Sequence, residues 1–273
     1  MIRITSLILT SLLLVSAFSS AIGNSNFDEK NSTVLVTGAN RGIGFEFTKQ
    51  YAELGWNVIA TARKPEAADD LNQLAKKYTN IAIEQLDVRD LAMIDSLAEK
   101  YTDQPIDVLL NNAGISGSPS PEQSFRRLNY ELFNPFMETN AMGPLKMSEA
   151  FLKNVQASKQ KKIVVVTSSG GLFSRAGMMN KGTYFYRASK AAVNMLMIQV
   201  ADDVKRRGIS VILLNPGLVD TQLILTEMNE KMNLGLTLIP IKESISGMRK
   251  SIRERGLDET GRVFEWNGEP LDF

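Results

Sequence analysis

Neither cysteine nor histidine occurs anywhere in the 273 residues. Without a thiol there is no disulfide, thiolate zinc site, cysteine nucleophile or thioether lipid anchor. Without an imidazole, Ser-His-Asp hydrolysis and histidine-based metal sites are closed as well. No metal site is expected, and proton transfer must fall to Tyr, Lys, Asp or Glu. A charge excess is also missing: 31 basic against 30 acidic residues leave a net +1, with no long block of one sign. That is not the footprint of a nucleic-acid binder, so nucleic acid is not an expected partner.

What is present suits one large domain, since 44% of the residues are hydrophobic and 22% charged, enough to bury a core without staples. The long apolar run stands at the N-terminus. Met1-Ile2-Arg3 supplies a positive charge, and an apolar stretch broken by Ser and Thr follows from Ile4 to Ile22. Ser19-Ser20-Ala21 and Ala21-Ile22-Gly23 both offer small-x-small cleavage sites. Residues 1–23 therefore read as a secretory signal peptide, which implies an exported protein, periplasmic or secreted. The rival reading is an uncleaved membrane anchor through residues 1–22 with a cytosolic catalytic domain, because the stretch is nearly long enough to span. Residues 24–32 form a polar spacer, and the folded domain is expected over residues 33–273.

Within that domain short apolar runs alternate with amphipathic stretches. Strands are expected at Thr33–Thr37, Asn57–Thr61, Ile81–Leu86, Ile106–Asn111, Ile163–Thr167, Ile209–Asn215 and Arg262–Trp266. Most are Val, Ile and Leu without polar alternation, as strands covered on both faces should be. Helices are expected at Gly42–Leu54, Pro65–Tyr78, Leu91–Tyr101, Asn129–Val155 and Tyr186–Arg207. The alternation predicts an α/β fold of Rossmann type, a doubly wound parallel sheet in a single domain. Two irregular segments, Ile115–Phe136 and Leu218–Gly247, follow strands four and six, where ligands of such sheets bind. The second holds Leu223, Ile224, Leu225, Met228, Met232, Leu234 and Leu236, enough for an apolar lid or for ordinary packing on the core.

The first strand runs into Thr37-Gly38-Ala39-Asn40-Arg41-Gly42-Ile43-Gly44. Glycine at Gly38, Gly42 and Gly44 permits a tight turn and lets backbone N–H groups approach a pyrophosphate at the helix N-terminus. An acid at the end of the second strand would bind a ribose 2′-hydroxyl, whereas arginine accommodates a 2′-phosphate. Here Ala60-Thr61-Ala62-Arg63-Lys64 carries no acid before Glu66, and Arg41 adds a second cation. The missing acid points to NADP(H) rather than NAD(H).

Farther on, Tyr186 and Lys190 stand four residues apart, on one face of a helix. A free tyrosine has a pKa of about 10; a neighbouring ammonium and an oxidised nicotinamide favour the tyrosinate and lower that value. Ser168 or Ser169, at the end of Ile163-Val164-Val165-Val166-Thr167, can hold a substrate oxygen near that tyrosine.

The glycine spacing together with Tyr-x-x-x-Lys resembles the short-chain dehydrogenase/reductase family, over nearly everything from Thr33 to Phe273. The resemblance favours Ser168 over Ser169, gives Lys190 the nicotinamide ribose hydroxyls, and assigns Asn140 to a proton relay through a helix-bound water. It places Asp87-Val88 at adenine and Asn112-Ala113-Gly114 along the adenosine ribose. It sets Pro216, Gly217, Val219 and Thr221 at the nicotinamide end. Gly261 to Gly268 is similar to the last strand and turn of a carbonyl-reductase-like subgroup that includes the Sniffer and C-factor proteins. The Ser-to-Tyr gap is five residues longer than the common spacing, the extra residues falling around Met178-Met179-Asn180, at the expected border of the substrate pocket. The leader departs from the pattern, because NADP(H) is normally intracellular. A homodimer or homotetramer through the helices Asn129–Val155 and Tyr186–Arg207 is what the family implies.

The expected function is an NADP(H)-dependent oxidoreductase that interconverts a carbonyl and an alcohol on an apolar small molecule, with Asn140, Ser168, Tyr186 and Lys190 catalytic. The competing reading is a nucleotide-binding signalling or scaffold protein that keeps the fold with little turnover.

Overall fold

The computed structural model of the protein describes residues 27–115, 120–177, 182–221 and 237–273. The leader at 1–23, Met178–Asn180 and the apolar residues from Leu223 to Leu236 lie outside the described residues. The strands are β1 (Thr33–Val36), β2 (Asn57–Ala62), β3 (Ile81–Gln85), β4 (Val108–Asn111), β5 (Lys162–Val166), β6 (Ser210–Asn215), β7 (Val263–Glu265) and β8 (Pro270–Leu271). They form one sheet in the order β3-β2-β1-β4-β5-β6-β7-β8, parallel except for the antiparallel β7–β8 pair.

Successive strand residues point to opposite faces, and both faces are apolar. Leu35, Ile59, Leu109, Ile163 and Leu213 build one core cluster, while Val34, Val36, Val58, Val108, Val164 and Ile212 build the other. Helices cover each face. On the first lie α3 (Leu91–Lys100), α5 (Gly143–Ala150), α6 (Leu152–Ala157) and α7 (Tyr184–Lys205), contributing Ile94, Met147, Val155, Val193 and Met197. On the second lie α1 (Gly42–Glu53), α2 (Asp69–Lys77) and α8 (Ile241–Glu254), contributing Phe47, Tyr51, Leu71, Ile245, Met248 and Ile252. The strand order reverses between β1 and β4, so a crevice opens at their carboxyl ends, the usual ligand position of this architecture.

Two sequence expectations are corrected, and one short strand was not foreseen. The single helix over Asn129–Val155 is instead a 3-10 turn (Tyr130–Leu132), α4 (Phe133–Met137), a π-helical turn (Glu138–Met142), α5 and α6. Pro144 has no N–H to offer Asn140, and the Gly143 N–H reaches back to the Glu138 carbonyl, widening the helix there. The irregular stretch Leu218–Gly247 ends early, because Ile241 onward is helical; Ile241, Ile245, Met248 and Ile252 form its apolar stripe. β8, only two residues long, is too short to carry a period.

Candidate active site

The glycine turn is built by close backbone approach. Gly38 and Gly42 have φ of 67° and 57°, left-handed values open to glycine. Gly44 packs against the Gly38 carbonyl and the Asn112 side-chain amide, so a Cβ there would overlap both. That amide donates to the carbonyls of Thr37 (2.8 Å) and Gly38 (3.2 Å). In return Thr37 Oγ1 accepts from the N–H groups of Asn112 and Ala113, each at 2.9 Å. The ends of β1 and β4 are thus stitched together at the crevice. α1 begins there with Arg41 in extended conformation, no side-chain cap and no acid in its first turn, which suits an anion at its N-terminus. Asn40 and Arg41 are exposed and Ile43 is half-buried.

The Pro216–Thr221 segment faces this turn: Thr221 Cβ lies 3.2 Å from where a Gly42 Cβ would stand. Ser244 of α8 donates to the Pro216 carbonyl at 2.7 Å. Gly217, at φ 74°, packs against Trp266 and Ile239, and Val219 bridges Ile239. At the other end Arg63 is exposed. Asp87 is engaged by Arg89, whose Nη2 and Nε donate at 2.8 Å and 3.2 Å. This pairing holds the Asp87 carboxyl below its ordinary value, with the Arg63 charge adding to the effect. Val88 is buried under Gly143.

Tyr186 and Lys190 sit one turn apart on α7 as their spacing requires, the Lys190 ammonium 6.0 Å from the centre of the tyrosine ring. Lys190 is buried and donates to the Val166 carbonyl at the end of β5, at 2.9 Å. Burial disfavours its charge and pulls its pKa down to about 8. Burial pushes the Tyr186 phenol up, while the neighbouring Ser168 side chain pulls it back. Ser168 Oγ also accepts from the Gly170 N–H at 3.1 Å. Of the two candidate serines, Ser168 is therefore the one at the tyrosine; Ser169 turns its N–H toward Asn215.

Asn140 lies in the π-helical turn, a feature that recurs at functional sites. Its Oδ1 accepts from the Ile115 N–H at 2.7 Å, and its Nδ2 donates to Ser189 Oγ at 2.9 Å. Ser189 Oγ in turn donates to the Tyr186 carbonyl at 2.7 Å. Gly114 completes the cluster: its absent Cβ would stand 3.2 Å from Asn140 Oδ1 and 3.9 Å from Lys190 Nζ. Asn140, Ser168, Tyr186, Lys190 and Gly114 are brought together beside the glycine turn.

Several supporting residues had no sequence signal. Gln123, buried, accepts the Tyr186 N–H at 3.2 Å and so satisfies an orphan donor of the first turn of α7. Asn194 accepts from Thr167 Oγ1 at 2.5 Å and donates to the Gly171 carbonyl at 3.3 Å. Arg187 Nε donates to the Gly170 carbonyl at 3.0 Å. They tie the turn after β5 to the helix that carries the tyrosine.

Against known proteins, the family described as short chain dehydrogenase matches residues 32–232. An uncharacterized oxidoreductase of Schizosaccharomyces pombe is 29% identical over 252 residues, covering 88% of this chain and 96% of that protein. Among solved structures, the NADPH-bound carbonyl reductase from chicken fatty liver is similar with a TM-score of 0.77 and 29% identity, over 89% of this chain and 99% of the other. The carbonyl reductase Sniffer of D. melanogaster is similar with a TM-score of 0.75 and 25% identity, over the same shares.

Proposed function

The chain belongs to the short-chain dehydrogenase family, and on that footing we propose that it is an NADP(H)-dependent oxidoreductase that interconverts a carbonyl and an alcohol. The observation that carries this reading is the Ser168 side chain beside the Tyr186 phenol, with a buried Lys190 one turn away at the rim of the glycine turn. The residues also fit the cofactor: the cradle at Gly44 is one a Cβ would fill, and α1 offers an uncapped N-terminus. Thr37–Gly44 would hold the pyrophosphate, Arg41 and Arg63 the 2′-phosphate, Asp87 and Val88 the adenine, and Asn112–Gly114 its ribose. Pro216, Gly217, Val219, Thr221 and Lys190 would hold the nicotinamide end. Bound NADPH supplies the hydrogen and electron pair that reduce the carbonyl carbon.

The chain's own part is to bind and charge the oxygen. The hydroxyls of Ser168 and Tyr186 converge, so a substrate oxygen between them accepts two hydrogen bonds that strengthen as negative charge develops there. Tyr186 then releases its proton to that oxygen, and the Lys190 ammonium stabilises the tyrosinate left behind. Pro144 leaves the Asn140 carbonyl without its usual helical donor, which suits it to hold the water that returns a proton toward Lys190. Support for an apolar substrate comes from the Leu, Ile and Met residues between Leu218 and Leu236 and from Phe173, 77% exposed just beyond Ser168.

Tyr186→Phe tests the reading. Reduction of a panel of apolar ketones, aldehydes and quinones with NADPH should fall by at least about 100-fold, with NADPH binding retained. A variant that kept the full rate would sink the mechanism. For residues 1–23 the proposal is a cleaved export signal. Mass spectrometry of the native N-terminus from fractionated cells decides it. A chain beginning near Ile22 or Asn24 in an exported fraction supports cleavage, and an intact Met1 in a membrane fraction supports the anchor.

A further inference from the structure

The turn that presents Ser168 is held from two sides. Asn194 and Arg187 hold it from α7. From the other side Asn215, the last residue of β6, accepts the Ser169 N–H on its Oδ1 at 3.2 Å. Asn215 is buried, and its Nδ2 donates to Glu265 Oε2 at 2.7 Å. The parallel register of β6 and β7 sets Asn215 directly opposite Glu265.

A side-chain amide can turn over, exchanging oxygen and nitrogen at almost no change in shape. Between these neighbours only one orientation works. The Ser169 N–H requires an acceptor, and a carboxylate, which only accepts, requires a donor. Turned over, the amide would face N–H against N–H and oxygen against carboxylate, leaving two part-buried groups unpaired. Glu265 thus selects the amide orientation in which Asn215 can grip the turn.

We infer that Glu265 is a positioning residue: its carboxylate locks the Asn215 amide, which holds the Ser169 N–H and so sets where the Ser168 hydroxyl meets Tyr186. As a statement about catalysis this rests on the carbonyl-reduction reading above. Glu265 lies on the opposite side of Asn215 from the serines and touches neither Ser168 nor Tyr186 among the described hydrogen bonds.

Two measurements on the full chain test it. The first needs no turnover: with carbon-13 at the tyrosine Cζ, the Tyr186 line is assigned from its loss in Tyr186→Phe. Glu265→Ala and Ser168→Ala should both move that line at neutral pH. Glu265→Gln should leave it in place, since its amide oxygen still accepts from Asn215. Should Glu265→Ala not fold, Asn215→Ala makes the same displacement with Glu265 intact. A Tyr186 line unmoved by either alanine variant overturns the inference. The second is steady-state reduction of menadione with NADPH. Glu265→Ala should lower kcat about tenfold through misplacement of the hydroxyl, with KM for NADPH unchanged, and Glu265→Gln should restore the rate. In a Ser168→Ala background Glu265→Ala should cost nothing further. A raised KM for NADPH with unchanged kcat would instead assign Glu265 to the Pro216–Gly217 turn and overturn the inference. Wild-type protein without turnover on any carbonyl would count against the reaction alone, and the tyrosine line would still judge the positioning.

Discussion

The Ser168 side chain stands beside the Tyr186 phenol across the gap between β5 and α7. Its proximity opposes the upward pull of burial on the phenol. It also distinguishes Ser168 from its neighbour Ser169, a choice the residues alone left open and the family resemblance made for Ser168.

Ser168→Ala should lower kcat by at least about 100-fold, the cost of removing one donor to a developing oxyanion. Ser169→Ala should change it by less than about threefold, because Ser169 contributes its backbone N–H. Steady-state kinetics of both variants on one carbonyl substrate check this, and equal losses would contradict the geometry.

Lys190 predicts how stability depends on pH. In the folded chain it titrates at about 8, against an ordinary 10.5. Below pH 8 the ammonium is charged in both states and its burial costs stability. Between these two values the unfolded chain binds more protons, so stability rises with pH. Lys162, also lowered by burial, contributes with the same sign. Tyr186, raised by burial, comes to favour the folded state less only above about pH 10, where the phenol keeps its proton folded and loses it unfolded. Because the native phenol binds the extra proton, stability falls there. Urea unfolding of the cofactor-free protein from about pH 7.5 to about pH 9.5 should show the rise, and Lys190→Met should flatten it by about 2 kcal/mol.

Two glycines separate conformational cost from site geometry. Gly44→Ala would force a Cβ into the Gly38 carbonyl and the Asn112 amide, so the dissociation constant for NADPH should rise by more than about tenfold. Gly55 has φ of 79° with open space around it. Gly55→Ala should cost about 1–2 kcal/mol of stability and leave NADPH binding unchanged. Fluorescence titration and urea unfolding read the two effects separately.

Arg63→Ala should weaken NADPH about tenfold, the loss of one charge-assisted hydrogen bond, and leave NADH affinity as it was. Titration of each nucleotide checks it. An equal loss for both would remove Arg63 from the 2′-phosphate.

Much of the architecture was legible because it depends on local pattern. Runs such as Ile163–Thr167 have no polar alternation, and a strand buried on both faces needs none. Glycines at Gly38, Gly42 and Gly44 mark positions where a side chain would not fit. Tyr186 and Lys190 share a face because 3.6 residues make a turn. Helix Ile241–Glu254 was missed although its stripe was present, because its first turns read together with the preceding apolar run as one irregular segment.

The amino-acid sequence by itself determined the alternating fold, the glycine turn, the Tyr–Lys pair and the absence of thiol or imidazole chemistry. Each of these follows from residue identity and short spacing. Only the tertiary structure decided that Ser168 meets Tyr186, that Gln123 receives the Tyr186 N–H, and that Glu265 stands beside Asn215. Those contacts join segments distant in the chain, and strand register and helix packing, which depend on the whole core at once, are what bring them together.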